Sequence, residues 1–599
     1  MKTIALISGG KDSILSIILS MRYGHYPVVV ANIAPECDDG RETVHEVDSY
    51  SFQTVGHEVV EEIAACMQLP FRRGYIRADQ AKVQDLHYTS KRDEGDEIEA
   101  LYRLLRSVKE EFPEVEAVTS GAILSNYQRH RVEDVCSRLK LRSLAFLWQR
   151  PAEEILDIAT ILRVEAILVK TATVGLVPQK HLGMSLFAAR PELESIQRLY
   201  GAHAAGEGGE FETIVLDCPL FREKRLEVVE LRPVIVDNND YSPSGHAVLK
   251  VAQRAKTDEE KVADKHILQQ LSLFTFPSDR MKHLPSLDQL IFEDLQMNEN
   301  KAAFQTRKSE GDVVYWACTC GVYDACITSD RGAQQRILED VLRKAIEDAS
   351  KITHEVFFVL VLSPDVDLFD CFCAAFSIAF PDVCPPGCSF AEMNSLSAFR
   401  LEVLTAPQCS IDRSTMVVRS TSCWGAPSLG PYSFSNMLTV ANECRTIVSG
   451  CVGLVSTTHQ LATVADMGDL NVTSISEVCH SIGIPDEGTV KEFIAQFAFM
   501  YANSVNGLTY FRIQPNEVTH VTFLLTDMRF APLLGPLWRW CSAKHGGGRE
   551  LIFYRVTNLS GVPGKYVVCR VLPVVRLLCG AAVEAIFERR ITADEREGT

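Results

Sequence analysis

Ser8-Gly9-Gly10-Lys11-Asp12-Ser13 stands between an apolar run at residues 3–7 and the helical run Ile14, Leu15, Ile17, Ile18 and Leu19. This strand, loop and helix decide the fold of the first third of the chain. Two adjacent glycines let the backbone turn sharply, so that successive N–H groups converge on an anion, and the helix that follows adds its partial positive charge. The hydroxyls of Ser8 and Ser13 can donate to phosphate oxygens, Lys11 can offset their charge, and Asp12 is placed to hold the Mg²⁺ that accompanies ATP. The loop is shorter than a Walker A loop, and no G-x-x-x-x-G-K-[ST] occurs anywhere in the chain.

Working outward, short apolar stretches at residues 27–31, 71–75, 117–120, 144–147 and 166–170 continue the strand series begun at 3–7. Helical periodicity fills the gaps: Ile98, Leu101, Leu104, Leu105 and Val108 share one face, as do Val132, Val135 and Leu139. This alternation predicts an α/β domain with a doubly wound parallel sheet over residues 1–232, with ligands at the carboxyl ends of the strands. The polar tract at 237–246 and the charge-rich residues 256–265 mark 233–299 as a linker or surface insertion, its second half compatible with helix. Beyond residue 300 one α+β order occurs twice. Strand 313–318, helix 337–346, strand 356–362 and helix 365–380 are followed by strand 447–452, helix 490–504, strand 520–525 and helix 530–541. The expected domains are 300–410 and 411–578, with a tail at 579–599.

The bulk numbers agree with several globular domains. A chain of 599 residues, 46% hydrophobic and 23% charged, exceeds one hydrophobic core. No apolar run approaches the roughly 18 to 20 residues a membrane span needs. The first residues evoke a signal peptide but run into the glycine loop without a cleavage site. Nineteen irregularly spaced cysteines fit reduced thiols in the cytoplasm. A net charge of −18 opposes general nucleic-acid binding, which needs clustered Lys and Arg, and suits a neutral or cationic substrate.

The six-residue loop resembles that of the PP-loop family of N-type ATP pyrophosphatases, with an adenine nucleotide alpha hydrolase-like fold, which grips the pyrophosphate released when an acid or amide is adenylated. Further stretches resemble one branch of it, diphthine-ammonia ligase: Glu46 to Tyr50 with Gln53 to His57, Glu94 to Glu97, Gly121 to Arg129, Leu147 to Arg150, Lys180 to Gly183, and Gly206 to Thr213 leading to Leu216 to Phe221. The resemblance implies that diphthine on translation elongation factor 2, ATP and ammonium give diphthamide, AMP and pyrophosphate, with ATP and Mg²⁺ bound at Ser8 to Ser13. It makes Lys11, Asp12, Glu207 and Glu210 the catalytic candidates, with Asp12 as metal ligand.

Other residues carry two readings each. Glu94, Asp96 and Glu97 either bind Mg²⁺ or the substrate's trimethylammonium, or favour the N-terminus of the helix they precede. Tyr127 or Trp148 either faces that quaternary cation or is a buried aromatic. Arg129 and Arg131 clamp an anion or form surface salt bridges. Gly208 and Gly209 give a ligand-facing loop whose carboxylates, with Glu212, suit substrate or metal better than phosphate. His181 shuttles a proton or is structural. The competing functions are a PP-loop enzyme that modifies tRNA, disfavoured by the acidic charge and the lack of a C-x-x-C, and a non-catalytic nucleotide sensor.

In the second half, Gly430-Pro431-Tyr432-Ser433, the 447–450 stretch and the two-copy pattern resemble the RidA (imine deaminase) family, which has a chorismate mutase-like α+β fold. The family's arginine position falls near Ala398 in the first copy and two residues from Arg549 in the second, favouring scaffolding units that form or imitate a homo-oligomer; supply of ammonia is the alternative. Cys371, Cys373, Cys384 and Cys388 miss the usual zinc spacing and read as buried thiols.

Overall fold

The computed structural model describes every residue except 37–48, 50–51, 54, 77–95, 240, 280–318, 326–329, 382–383, 393–397, 408–411, 441–442, 469, 471, 473–474, 514–519, 526, 543–549, 556–557, 560–566, 571–586 and 591–599. Two compact units result: Met1–Arg280 together with Arg419–Trp424, and Met281–Val418 together with Gly425–Thr599. No helix among the described residues is long and apolar enough to cross a membrane.

In the first unit β1 (Lys2–Leu6) leads through the glycine loop into α1 (Lys11–Arg22), and β2 (Tyr26–Pro35), α2 (Val60–Met67), β3 (Phe71–Ile76), α3 (Glu97–Glu111), β4 (Ala117–Thr119), α4 (Asn126–Arg138) and β5 (Arg142–Leu144) follow. The strands form one parallel sheet in the order β3-β2-β1-β4-β5. The order reverses between β1 and β4, which opens a crevice at the end of β1 where the glycine loop lies. Helix α1 buries nine of its residues, from Lys11 to Ser20, which accounts for its nearly continuous apolar run.

The α/β reading holds, with two differences inside this unit. After α5 (Ala152–Ile161), β6 (Glu165–Thr171) leaves the parallel sheet. Following α6 (Pro178–His181) and α7 (Leu186–Tyr200), it pairs antiparallel with β7 (Phe211–Asp217) and β9 (Ser244–Ala255), in the order β7-β6-β9-β8 with β8 (Lys224–Asp237). A short apolar run is equally compatible with either sheet, so its pattern could not decide. The stretch 233–299, expected as a linker or surface insertion with its second half compatible with helix, begins inside β8. The polar tract is the turn of the long β8–β9 hairpin, where Asn239 Oδ1 accepts from the amides of Tyr241 and Ser242. The charge-rich residues form α8 (Asp258–Gln270), which opens with a Thr257–Glu260 capping box. Just before this helix Lys256, 4% exposed, lies 2.6 Å from both Asp217 and Asp264.

The second unit repeats itself. Its first copy has β10 (Thr319–Ala325), α9 (Arg331–Lys351), β11 (His354–Ser363), α10 (Phe369–Ala379), β12 (Gly387–Glu392) and β13 (Phe399–Pro407). Next come β14 (Asp412–Met416), β15 (Ser435–Val440), β16 (Glu443–Val448), β17 (Cys451–Val452), α11 (Ile475–Ile482), α12 (Glu487–Thr509), β18 (His520–Leu525), α13 (Ala531–Cys541), β19 (Glu550–Arg555), β20 (Asn558–Leu559), β21 (Val567–Arg570) and β22 (Phe587–Arg590). The sheet order β10-β13-β11-β12 is matched strand for strand by β17-β21-β18-β19. In each, the central strand has a parallel neighbour reached through an 11-residue helix and an antiparallel one on its other side. Strand β20 continues the first sheet beyond β12, and β14-β15-β16-β22 form a third. Cys371 and Cys388 are buried, Cys373 and Cys384 are half-buried, and burial pushes the Cys373 thiol up to about 12. Arg549 lies outside the described residues.

Candidate active site

A cavity of about 440 Å³ opens at the carboxyl end of β1, lined by Ser8, Lys11, Asp12 and Ser13 of the glycine loop, by Ser120 and Gly121 after β4, by Ser125, Gln128 and Val132 of α4, and by the loop Gly206 to Gly209 with Glu212 and Thr213. Gly9 has φ +91°, the left-handed turn that only glycine adopts freely, and α1 begins after Gly10, which has no side chain of its own to cap it. An uncapped helix N-terminus facing a cavity favours an anion. Gly121 packs directly on this turn: a Cβ there would lie 3.0 Å from Asp12 C and Ser13 N.

The loop is braced from outside its own sequence. Lys11 N donates to Thr213 Oγ1 at 3.1 Å, the Lys11 ammonium donates to Ala205 O at 2.5 Å and pairs with Asp12 Oδ2 at 2.8 Å, and it lies 5.1 Å from the Phe211 ring centroid. Ser8 Oγ donates to Gln53 Oε1 at 3.2 Å, and the Gln53 amide donates to Thr213 O at 3.0 Å. Asp12 therefore has one oxygen engaged by Lys11, while its buried Oδ1 has no hydrogen-bond partner among the described residues. A carboxylate oxygen left open beside an anion-favouring turn suits Mg²⁺, which binds through one or two carboxylates together with phosphate oxygens.

The expected residues divide into two groups. Ser8, Lys11, Asp12, Ser13, Glu207, Gly208, Gly209 and Glu212 line the cavity, with Gly9 and Gly10 forming the turn. Glu207 Oε1 accepts from the amides of Leu124 and Ser125, each at 2.7 Å, joining its loop to the head of α4. Burial pushes its carboxyl above the ordinary range, against the downward pull of those amides. Glu212 pairs with Lys170 at 3.2 Å. The remaining described candidates do not line the cavity. Glu210 accepts from His203 N at 2.6 Å, bracing the 203–210 loop. Asp96 caps α3 by accepting from Ile98 N at 2.9 Å and pairs with Arg131 at 3.2 Å, while Glu97 accepts from the cavity-lining Ser49 hydroxyl at 2.6 Å.

The aromatic faces take cations of this chain: Arg129 lies 4.2 Å from the Trp148 ring centroid and Arg131 lies 3.8 Å from that of Tyr127. Trp148 is 2% exposed. His181 is held by Val177 N at 2.7 Å and Glu192 at 2.6 Å. Glu94 lies outside the described residues. Gln53, Gly121 and Thr213 also line the cavity and sit inside stretches that resemble the ligase family, whereas Asn32, near the end of β2, carries no local signal.

The family model described as diphthamide synthase N-terminal domain matches residues 1–143, and that described as diphthamide synthase C-terminal domain matches residues 153–244. The chain is 32% identical over 478 residues to the diphthine–ammonia ligase of Schizosaccharomyces pombe, covering 77% of this chain and 74% of that protein. It is 31% identical over 558 residues to that of Saccharomyces cerevisiae, covering 84% and 78%. It is 46% identical over 240 residues to that of Rattus norvegicus, covering 40% of this chain and 87% of that protein. Among solved structures, the YjgF gene product from E. coli is 12% identical with a TM-score of 0.19, covering 30% of this chain and 100% of that one.

Proposed function

The chain belongs to the diphthine–ammonia ligase family, and from that premise we propose that the cavity at the head of α1 is where ATP is cleaved and the acyl-adenylate forms. The protein is a carbon–nitrogen ligase that uses ATP to amidate diphthine, completing diphthamide. In the proposed sequence a diphthine carboxylate oxygen attacks the α-phosphorus, pyrophosphate leaves with its bonding pair, and ammonia then attacks the acyl carbon. AMP leaves with the former carboxylate oxygen and one proton is released. A carboxylate is a poor acyl donor because its charge is delocalised, and adenylation replaces that oxyanion with a leaving group.

The observation that carries this reading is the uncapped start of α1 with Asp12 Oδ1 unpartnered beside it. The Asp12 and Ser13 amides at the start of α1 hold the β- and γ-phosphates, joined by the Ser8 and Ser13 hydroxyls once these exchange their donations to Gln53 and Gly10 O for phosphate oxygens, and Lys11, fixed by Ala205 O, offsets the charge. Asp12 would hold Mg²⁺, which when bound would supply positive charge against the phosphates. Glu207, Gly208, Gly209 and Glu212 form the wall toward the second substrate. Positioning and charge stabilisation in a water-poor cavity supply most of the rate, since an acyl-adenylate hydrolyses when exposed.

The protein substrate is translation elongation factor 2, the ammonia donor is ammonium, and the reaction takes place in the cytoplasm. Residues 1–280 form the ligase unit, and the repeated unit behind it is a RidA-like scaffold that assembles copies of the chain. Asp12→Ala tests the nucleotide assignment: AMP formation is abolished while far-UV circular dichroism shows the chain still folded. AMP release by this variant at the parental rate overturns the assignment.

A further inference from the structure

Residues Arg419–Trp424 belong to the first unit, although the chain places them between β14 and β15 of the second. Thr421 N donates to Ser143 O and Thr421 O accepts from Ala145 N, both at 2.9 Å, a parallel bridge to Leu144 that extends the first sheet one strand beyond β5. Next to it, the Ser420 amide and hydroxyl donate to Glu133 Oε1 at 2.8 and 2.6 Å, and the Arg419 amide reaches the same oxygen at 3.2 Å. Cys423 packs into the hydrophobic core of the unit.

Glu133 is 2% exposed and lies on α4, paired with Arg129 at 2.8 Å. A buried carboxylate is tolerated only when neutralised and hydrogen-bonded, and here half of that service comes from a strand nearly 290 positions away in sequence. Burial pushes its carboxyl up, yet Arg129, His130 and the Ser420 hydroxyl together hold it below the usual range. Helix α4 is the element that this contact fixes. It carries Ser125, Gln128 and Val132 into the cavity, and the amides at its head hold Glu207.

We propose that residues 419–424 are a positioning strand of the ligase unit: the edge of β5 and Glu133 form a groove for an extended peptide with Ser-Thr at its centre, filled in cis, and the reaction cavity has its working shape only when that groove is occupied. Ser420 acts on the reaction through Glu133 and α4 and touches no reacting atom. The inference rests on the reading of the cavity as the ATP site.

The test uses the full chain. Ser420→Ala removes one donor to a charged acceptor and raises the KM for ATP about tenfold with kcat unchanged. Thr421→Pro removes the N–H given to Ser143 and unseats the strand. This variant loses ATP affinity further, captures a fluorescent peptide of residues 416–426, which wild type does not because its groove is full, and recovers its KM as peptide is added. Wild-type KM in Ser420→Ala overturns the proposal, as does a folded Thr421→Pro that neither binds nor responds to the peptide. If Thr421→Pro fails to fold, the Ser420→Ala KM decides. If wild type itself makes no AMP, the ATP reading has failed, while peptide capture by Thr421→Pro still reports on the groove.

Discussion

Gly121→Ala probes the one place where a single methyl group presses on the nucleotide loop. The new Cβ would lie 3.0 Å from Asp12 C and Ser13 N and 3.2 Å from Asp12 O, all backbone atoms of the first turn of α1. Ordinary contact begins near 3.4 Å, so this turn must retreat by a few tenths of an ångström. Such overpacking costs about 1–3 kcal/mol, which lowers the thermal midpoint of a unit of this size by roughly 2–10 °C. A displacement of about 1 Å at reacting groups costs on the order of 100-fold in rate, so a retreat of about 0.4 Å predicts a loss of roughly five- to tenfold in AMP release at saturating substrates. Gly201→Ala is the control. Gly201 has φ +72° and nothing within 4 Å of its Cβ position, so alanine there costs about 1–2 kcal/mol of strain without reaching the cavity. Comparable destabilisation by both variants, with AMP release reduced only in Gly121→Ala, is the expected result. Wild-type AMP release by Gly121→Ala would mean that α1 is not the phosphate cradle.

A half-buried carboxylate, Glu207, and a fully buried one, Glu133, predict opposite pH behaviour. Glu207 titrates above its ordinary 4.5 in the folded state, so its favourable contribution is present below that value and is lost as pH rises through the raised one. Glu207→Gln flattens this slope, so the stability of wild type relative to the variant falls as pH rises through that window; denaturant midpoints across pH 4 to 7 check it. Glu133 is depressed, so its stabilisation is full above 4.5 and is lost as pH falls through the lower folded value. Glu133→Ala leaves Arg129 buried without this carboxylate and costs about 3–5 kcal/mol at pH 7. That penalty shrinks in acid, and an equal penalty at pH 7 and pH 3 would contradict the buried pair.

The parallel sheet and glycine loop were legible because strand, turn and helix are encoded within about twenty consecutive residues. The α+β repeat was legible because its copies keep one order of elements. What escaped reading depends on distant pairing. The β8–β9 hairpin reads as linker since its exposed face is polar, and Lys256 reads as surface charge until Asp217 and Asp264 close around it. Nothing local in Arg419–Trp424 marks it as a strand of another unit, since the partners of its backbone, among them residues 133, 143 and 145, are distant in sequence. That contact also changes the meaning of a simple truncation. Removing residues 300–599 to ask whether the repeated unit supplies ammonia would strip the ligase unit of its edge strand as well. The Tyr127–Arg131 stack, by contrast, was available from spacing, since residues four apart share a helix face.

The most direct measurement follows the nucleotide and the protein substrate together. Incubated with ATP, ammonium and diphthine-bearing elongation factor 2, the chain should form AMP and pyrophosphate in step with conversion of the diphthine acid to its amide, and neither should form with Asp12→Ala. ADP as the product, or amide formed without AMP, would contradict the account.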